Sequence, residues 1–271
     1  MQNYNSLSSL DITNSAKNVQ ANQRRTLIMN QLLMNEYASV QELSRLLNVS
    51  LVTVRSDLAA LKKSGLIERT HGGARMLDKE LLGEIGFQVR ASMHQDQKKR
   101  IGAKAVELIN DGDAIILDSS TTCFHLARNL KFMHDLKIVT NGLNTAQELI
   151  KQVHTTILIG GMLNEKTYGS VGRLGRNTLS EVRVQKAFFG ARGVTLRDGL
   201  TDANLLEVEL KKAMVEISDQ VYVLVDSSKF NVVGFSSFAS IDHVTAIVTD
   251  DGIDPVVRET FENNGIKIIV A

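Results

Sequence analysis

The sequence predicts an α/β protein built of two unequal domains, and three observations carry that expectation. At 271 residues the chain is long for one domain and suits a small module joined to a larger α/β unit. Between Gln23 and Gly65, apolar residues recur at helical spacing. From Lys98 onward, short apolar strands alternate with helical segments, the pattern of a parallel sheet with crossover helices.

Composition narrows the function classes. With 43% hydrophobic and 23% charged residues the chain can bury an ordinary core, which excludes wholesale disorder. No apolar run approaches the roughly 18 residues of a membrane span, and residues 1–20 lack the basic start and apolar centre of a signal peptide. A cytoplasmic protein without a membrane partner is expected. The single cysteine, Cys123, excludes an intrachain disulfide and reads as a packed core thiol, in agreement with a reducing compartment. Net charge is only +1, but it is unevenly spread. Residues 1–77 hold nine Lys and Arg against five Asp and Glu, a surplus of four, whereas the remainder holds 22 against 25. The basic end is the N-terminal end, as a nucleic-acid-binding head requires.

The elements follow in order. Residues 1–20 read as a disordered polar tail. Gln23 to Asn35 puts Leu27, Ile28, Leu32 and Leu33 on one helix face. In SVQELSRLLNVS, Ser39 with Glu42 three residues on makes a capping box, and Val40, Leu43, Leu46 and Leu47 form the stripe of a second helix. Ser50 caps a third, whose Val54, Leu58 and Leu61 point inward until Gly65 stops it. LIERTHGGA then reads as a strand entering a glycine turn. Residues 21–76 thus form a winged helix-turn-helix, 77–97 a linker with room for a short helix, and 98–271 the larger domain. Strands of the latter are expected at AIILD, LKIVTNG, TTILIGG, KAFFGA, VYVLVD, TAIVTD and IKIIVA.

In such a head the third helix enters the major groove of DNA. Its outward residues are Leu51, Val52, Arg55, Ser56 and Ala59, with Thr53 at the N-terminal edge. Arg55 is the long donor suited to guanine O6 and N7, and the hydroxyls of Ser50 and Thr53 suit phosphates or base edges. Lys62, Lys63, Arg69 and His71, with Gly72 in the turn, track the backbone. The same pattern also fits a three-helix protein-interaction module whose basic residues form a solvated face.

The larger domain sets small polar residues after its strands. Asp118, Ser119, Ser120, Thr121 and Thr122 follow one strand and open a helix, where hydroxyls and backbone N–H groups favour a phosphate. Thr140, Asn141 and Gly142 follow the next strand, and Gly160 and Gly161 the one after. In a parallel sheet these loops share the carboxyl edge, where ligands bind. Lys229, beside two serines at another strand end, suits the same phosphate. Glu207 reads either as a ligand-site acid or as an exposed helix residue paired with Lys211. Tyr168, Gly169 and Gly172 read as a loop near the ligand or as a simple turn. The six histidines show no paired ligand spacing, so neither a metal nor a cofactor is expected.

NVSLVTVRSDLAALKKSGLIERTHGGA closely resembles the signature of DeoR-type bacterial transcriptional regulators, through Ser50, Thr53, Arg55, Asp57, Leu58, Leu61, Gly65, Ile67, Arg69, His71, Gly72, Gly73 and Ala74. LDSSTT, TNG, GG, YGSVG, DGLT with LLEVELKKAM, and DSSKF look like the sensor half of the same regulators, so the resemblance runs from about residue 20 to the C-terminus. It implies a Rossmann-like α/β sensor similar in fold to ribose-5-phosphate isomerase, double-stranded operator DNA as partner, and a small phosphorylated sugar as effector. It further implies a homodimer or homotetramer that represses a carbohydrate-metabolism operon. The alternative is a sugar-phosphate isomerase with an appended DNA-binding head. Against it, Phe189-Gly190-Ala191-Arg192 stands where the isomerases place an acidic pair and holds neither acid, so no catalytic residue is expected.

Overall fold

The computed structural model describes residues 21, 24, 25, 27–29, 31, 32, 35–63, 67–76 and 86–271. The expected tail at 1–20, the Gly65 helix stop, Leu33, the side chain of Lys63 and residues 77–85 of the expected linker lie outside what it describes. The chain divides into two units, Met1–Met93 and His94–Ala271.

In the first unit the described residues from 21 to 35 are helical and form α1. Strand β1 (Tyr37–Ser39), α2 (Val40–Leu47) and α3 (Leu51–Lys63) follow, then β2 (Ile67–Arg69), β3 (Gly73–Met76) and α4 (Phe87–Ser92). Ser39 caps α2 as the sequence predicts: its Oγ accepts the Glu42 N–H at 3.1 Å, and Glu42 accepts the Ser39 N–H at 2.8 Å. The three strands pair antiparallel in the order β1-β3-β2. Ile28, Met29, Leu32, Val40, Leu43, Val54, Leu58, Leu61, Ile67 and Ala74 share one core.

Two positions of the expected helix stripes are corrected. Leu27 is 50% and Leu46 59% exposed. At about 100° per residue, Leu27 falls on the far side of Ile28 from Met29, which is buried instead. Leu46 lies about 60° further round α2 than Leu43, outside the arc shared with Val40 and Leu47. Within the stretch read as linker, α4 belongs to the first unit, and its Val89 packs against that core.

The second unit opens with α5 (Gln95–Val106), β4 (Ala114–Leu117), α6 (Thr121–Asn129), β5 (Lys137–Thr140), α7 (Leu143–Leu149) and β6 (Thr155–Leu158). A hairpin of β7 (Met162–Asn164) and β8 (Gly169–Val171) and the helix α8 (Leu174–Ser180) lead to β9 (Val184–Phe189). Then come β10 (Gly193–Thr195), β11 (Gly199–Asp202), α9 (Leu205–Glu216), β12 (Ser218–Leu224), β13 (Ser236–Ala239), β14 (Ala246–Thr249), α10 (Pro255–Asn263) and β15 (Ile268–Val270).

All seven strands expected from the sequence form one parallel sheet in the order β15-β14-β12-β9-β4-β5-β6. Successive residues face opposite layers. Ile115, Leu117, Phe188, Tyr222 and Leu224 pack with Ile101, Leu126 and Leu149 of α5, α6 and α7. Ile116, Ala187, Phe189, Val221 and Val223 pack with Leu179, Leu210 and Phe261 of α8, α9 and α10. After β6 the chain returns to the other side of β4 to lay down β9, so the strand order reverses between β4 and β9. Ligands of open α/β sheets bind outside the carboxyl ends at such a reversal. The small sheets β7-β8 and β10-β11-β13 are additions that the sequence does not announce. No described helix is long and apolar enough to cross a membrane.

Candidate functional site

The first candidate surface is built on α3. Val54, Leu58 and Leu61 are buried, whereas Leu51 is 39% and Val52 73% exposed, with Arg55 and Ser56 exposed beside them. Ser50 is the cap: its Oγ accepts the Thr53 N–H at 3.1 Å and lies 2.9 Å from the Thr53 hydroxyl. The turn before it is set by Asn48, left-handed at φ 50°, and by the Ser44 hydroxyl donating to the Val49 carbonyl. Arg69 ends β2, and His71 and Gly72 form the exposed turn into β3. That turn is tied to α2, because the Val40 N–H donates to the Gly72 carbonyl at 2.8 Å.

The glycine pair has a reason beyond its turn. A Cβ on Gly73 would stand 2.1 Å from the Ala38 carbonyl oxygen, so β1 can pair with β3 only over a glycine. Asp57, 2% exposed, accepts Nε–H bonds from Arg24 at 2.9 Å and Arg25 at 3.0 Å. Its partners thus come from α1 and not from its own helix.

The second candidate site lies at the strand reversal. Asp118 is fully buried and opens the loop directly after β4. Its Oδ1 accepts the Ser120 N–H at 2.9 Å and its Oδ2 the Gly190 N–H at 3.0 Å, joining the loops after β4 and β9. Lys211 of α9 closes the arrangement, with Nζ 3.0 Å from Asp118, 2.7 Å from Asp202 and 2.9 Å from the Gly190 carbonyl. Burial opposes the charge on Lys211, but the two carboxylates outweigh it and raise its pKa above the ordinary lysine value. Sequence reasoning missed Lys211 as a site residue. The signal available was a Lys-Lys pair inside an apolar helix, where only one of the two can reach water.

Ser120 caps α6, its hydroxyl accepting the Cys123 N–H at 3.2 Å. Thr121 and Thr122 stand at the positive end of that helix, 4% and 5% exposed. Glycines brace the hydroxyl loop on both sides: a Cβ at Gly190 would meet the Ser120 Cβ at 2.5 Å, and one at Gly169 the Ser119 Oγ at 2.7 Å. Asn141 reaches the same loop, its Nδ2 lying 3.5 Å from Ser119 Oγ and donating to the Ser170 carbonyl at 2.9 Å. Thr140 accepts the Gly142 N–H at 3.0 Å, which shapes the turn after β5.

The exposed-pair reading of Glu207 is corrected. It is 7% exposed, and one carboxylate oxygen accepts from Thr167 at 2.6 Å and Asn164 at 3.1 Å. Those donors belong to the β7–β8 hairpin, whose short antiparallel pairing carries no sequence period. Tyr168, left-handed at φ 53°, and Gly169 lie in that hairpin, where Leu143 donates to the Tyr168 carbonyl.

Lys229 closes a short turn after β12 beside Asp226. Burial works against the Asp226 charge, but Lys229 and the Ser228 hydrogen bond overcome it and lower its pKa. The β12 and β6 ends each stand two strands from β4, about 10 Å away at ordinary strand spacing. Lys229 and the exposed Gly160–Gly161 pair therefore mark the two wings of one edge, with the Asp118–Thr122 loop at its centre. Among the described residues no group of three or more His, Cys, Asp or Glu is placed to hold a metal.

Comparison with known proteins meets both sites. A DeoR-like helix-turn-helix domain matches residues 24–80, and a DeoR C-terminal sensor domain matches residues 93–251. The HTH-type transcriptional regulator GolR of Listeria innocua is 33% identical over 250 residues, covering 92% of this chain and 98% of its own. IolR of Bacillus subtilis is 35% identical over 89% of this chain and 95% of its own. The lactose phosphotransferase system repressor of Staphylococcus epidermidis is 36% identical over 81% and 88%. Among solved structures, ribose 5-phosphate isomerase A of Methanocaldococcus jannaschii aligns with a TM-score of 0.39 and 19% identity, over 51% of this chain and 55% of that one. With both halves matched in sequence and the winged helix and parallel sheet in place, the chain belongs to the DeoR family of helix-turn-helix transcriptional regulators.

Proposed function

We propose that this regulator represses a carbohydrate-metabolism operon by binding operator DNA through α3 and the β2–β3 turn, and that a phosphorylated sugar releases it. The carrying observation is the two-sidedness of α3. Val54, Leu58 and Leu61 are committed to the core, while Leu51, Val52, Arg55 and Ser56 present one exposed face with a single long cationic donor. Ser50, Thr53, Arg69, His71 and Gly72 border that face and complete the DNA-binding set.

The effector is assigned to the carboxyl edge of the seven-stranded sheet. Asp118 to Thr122, Thr140 to Gly142, Gly160, Gly161, Glu207 and Lys229 line it, with the phosphate at the α6 N-terminus and Lys229. Three features support this placement: the strand reversal, the braced hydroxyl loop and the fixed Asp118–Lys211 pair. Similarity to a lactose phosphotransferase system repressor supports a sugar-linked role. A homodimer or homotetramer would match a repeated or palindromic operator, and a DNA target supports a cytoplasmic protein. Release requires the sugar phosphate to bind the DNA-bound and released states unequally.

The test is a fluorescence-anisotropy titration on the upstream DNA of the protein's own gene, repeated with a panel of sugar phosphates at fixed salt. Tight binding reversed by one compound supports the whole reading. Tight binding that no compound moves removes the effector assignment. Absence of binding together with conversion of a panel compound would favour the isomerase alternative.

A further inference from the structure

Arg24 and Arg25 on α1 lie outside the surface assigned above. Both turn toward α3 and meet the same buried carboxylate: Arg24 Nε–H donates to Asp57 Oδ2 at 2.9 Å and Arg25 Nε–H to Oδ1 at 3.0 Å. Asp57 has a side chain 3% exposed, whereas the two arginine side chains are 23% and 35% exposed. Bonding through Nε leaves the four N–H donors of each pair of terminal amino groups at the outer end of the side chain. Among the described residues neither guanidinium makes another hydrogen bond.

We infer that Asp57 positions Arg24 and Arg25 as a paired clamp for DNA backbone phosphates beside the recognition helix. An ion pair that only ties α1 to α3 needs one cation, and this cluster holds two against one anion. Its surplus positive charge has found no acid among the described residues. The location fits a phosphate. Asp57 stands one turn beyond Thr53 on α3, about 6 Å along the axis, on its flank and not on its exposed face. A helix about 10–12 Å across fills a major groove about 12 Å wide, so groups held on its flank meet the phosphate strand that borders the groove. Arginine is suited to that contact because its fork matches phosphate oxygens.

The inference rests on the DNA-binding reading, and the test separates the two. The full-length protein and its Arg24→Met and Arg25→Met variants are titrated by anisotropy against the upstream duplex and a shuffled duplex of the same length, across a salt series. Each substitution is expected to lower the slope of log affinity against log salt by about 0.9. A fourfold rise in salt then weakens the variant about 3.5-fold less than the wild type. Both duplexes weaken by the same factor, since a phosphate contact reads no sequence. Folded variants with an unchanged slope would show that the arginines are structural ties only. Should a methionine variant melt below the assay temperature, Asp57→Asn decides by sign. Removing an acid beside a DNA-binding face ordinarily tightens binding, but here it must loosen both duplexes by freeing the two heads, and tighter binding overturns the clamp. Wild-type protein that binds neither duplex overturns the DNA-binding reading itself.

Discussion

Replacing Lys211 by methionine removes one ammonium while nearly conserving the length of the side chain. Asp118, fully buried, loses its cation at 3.0 Å, Asp202 loses its partner at 2.7 Å, and the Gly190 carbonyl loses a donor at 2.9 Å. Breaking a buried ion pair from one side costs about 3–5 kcal/mol, because the remaining charge is left uncompensated. Asp118 keeps the N–H groups of Ser120 and Gly190, so the lower end, about 3 kcal/mol, is expected.

Cys123 gives a local readout. It is the chain's one thiol, it is fully buried two residues into α6, and burial raises its pKa well above the ordinary value, so labelling waits for the sensor to open. A loss of about 3 kcal/mol raises the open population, and with it the labelling rate, roughly 150-fold. Labelling of Lys211→Met within tenfold of wild type would refute the claim that this pair holds the hydroxyl loop. The double variant Asp118→Asn/Lys211→Met removes both charges and should recover at least about 1 kcal/mol over the single variant. If it recovers nothing, lost packing and not the stranded carboxylate is the cause.

Other outcomes follow from the same geometry. Arg55→Ala should weaken operator binding by about 1–3 kcal/mol and relax base preference where Arg55 reads, measured by titrating single-base operator variants; equal binding would remove it from base readout. Lys229→Ala should keep operator affinity and lose the sugar-phosphate response, and a retained response would move the phosphate elsewhere. Gly73→Ala drives a Cβ into the Ala38 carbonyl, so a destabilisation of the head of about 1–3 kcal/mol is expected with Cys123 labelling unchanged. His125 is held at a pKa of about 4, first by burial and then by Lys98, Arg128 and Lys99, against an ordinary value of 6.5. The unfolded chain therefore takes up this proton first as pH falls. The stability associated with neutral His125 is complete above pH 6.5 and lost on descent towards pH 4, and His125→Asn should flatten that limb of the urea midpoint.

Legibility in the sequence tracked how each residue is used. The seven sheet strands showed because strands buried on both faces are continuous apolar runs, as AIIL and VYVL are. Helix α3 showed because Val54, Leu58 and Leu61 keep the i, i+4, i+7 period over about two turns. Three-residue strands such as Gly169–Val171 are too short for any alternation, so the hairpin that receives Glu207 was invisible. Lys211 was hidden for another reason. Nothing local distinguishes it from Lys212, and its partners Asp118 and Asp202 lie 93 and 9 residues back along the chain. The Arg24–Asp57 contact is likewise a meeting of two helices, which spacing along either one cannot disclose.

The strand order also bears on synthesis. Read from the ribosome, β4 comes first, β5 and β6 extend the sheet to one side, and β9, β12, β14 and β15 extend it to the other. Every new strand meets an edge left open by one already made, and none must be threaded between two earlier neighbours. The nascent sheet can grow at the pace of translation with each register templated, the β6 edge staying open while the opposite edge receives each later strand. The helical head, with a core of its own, has by then emerged whole.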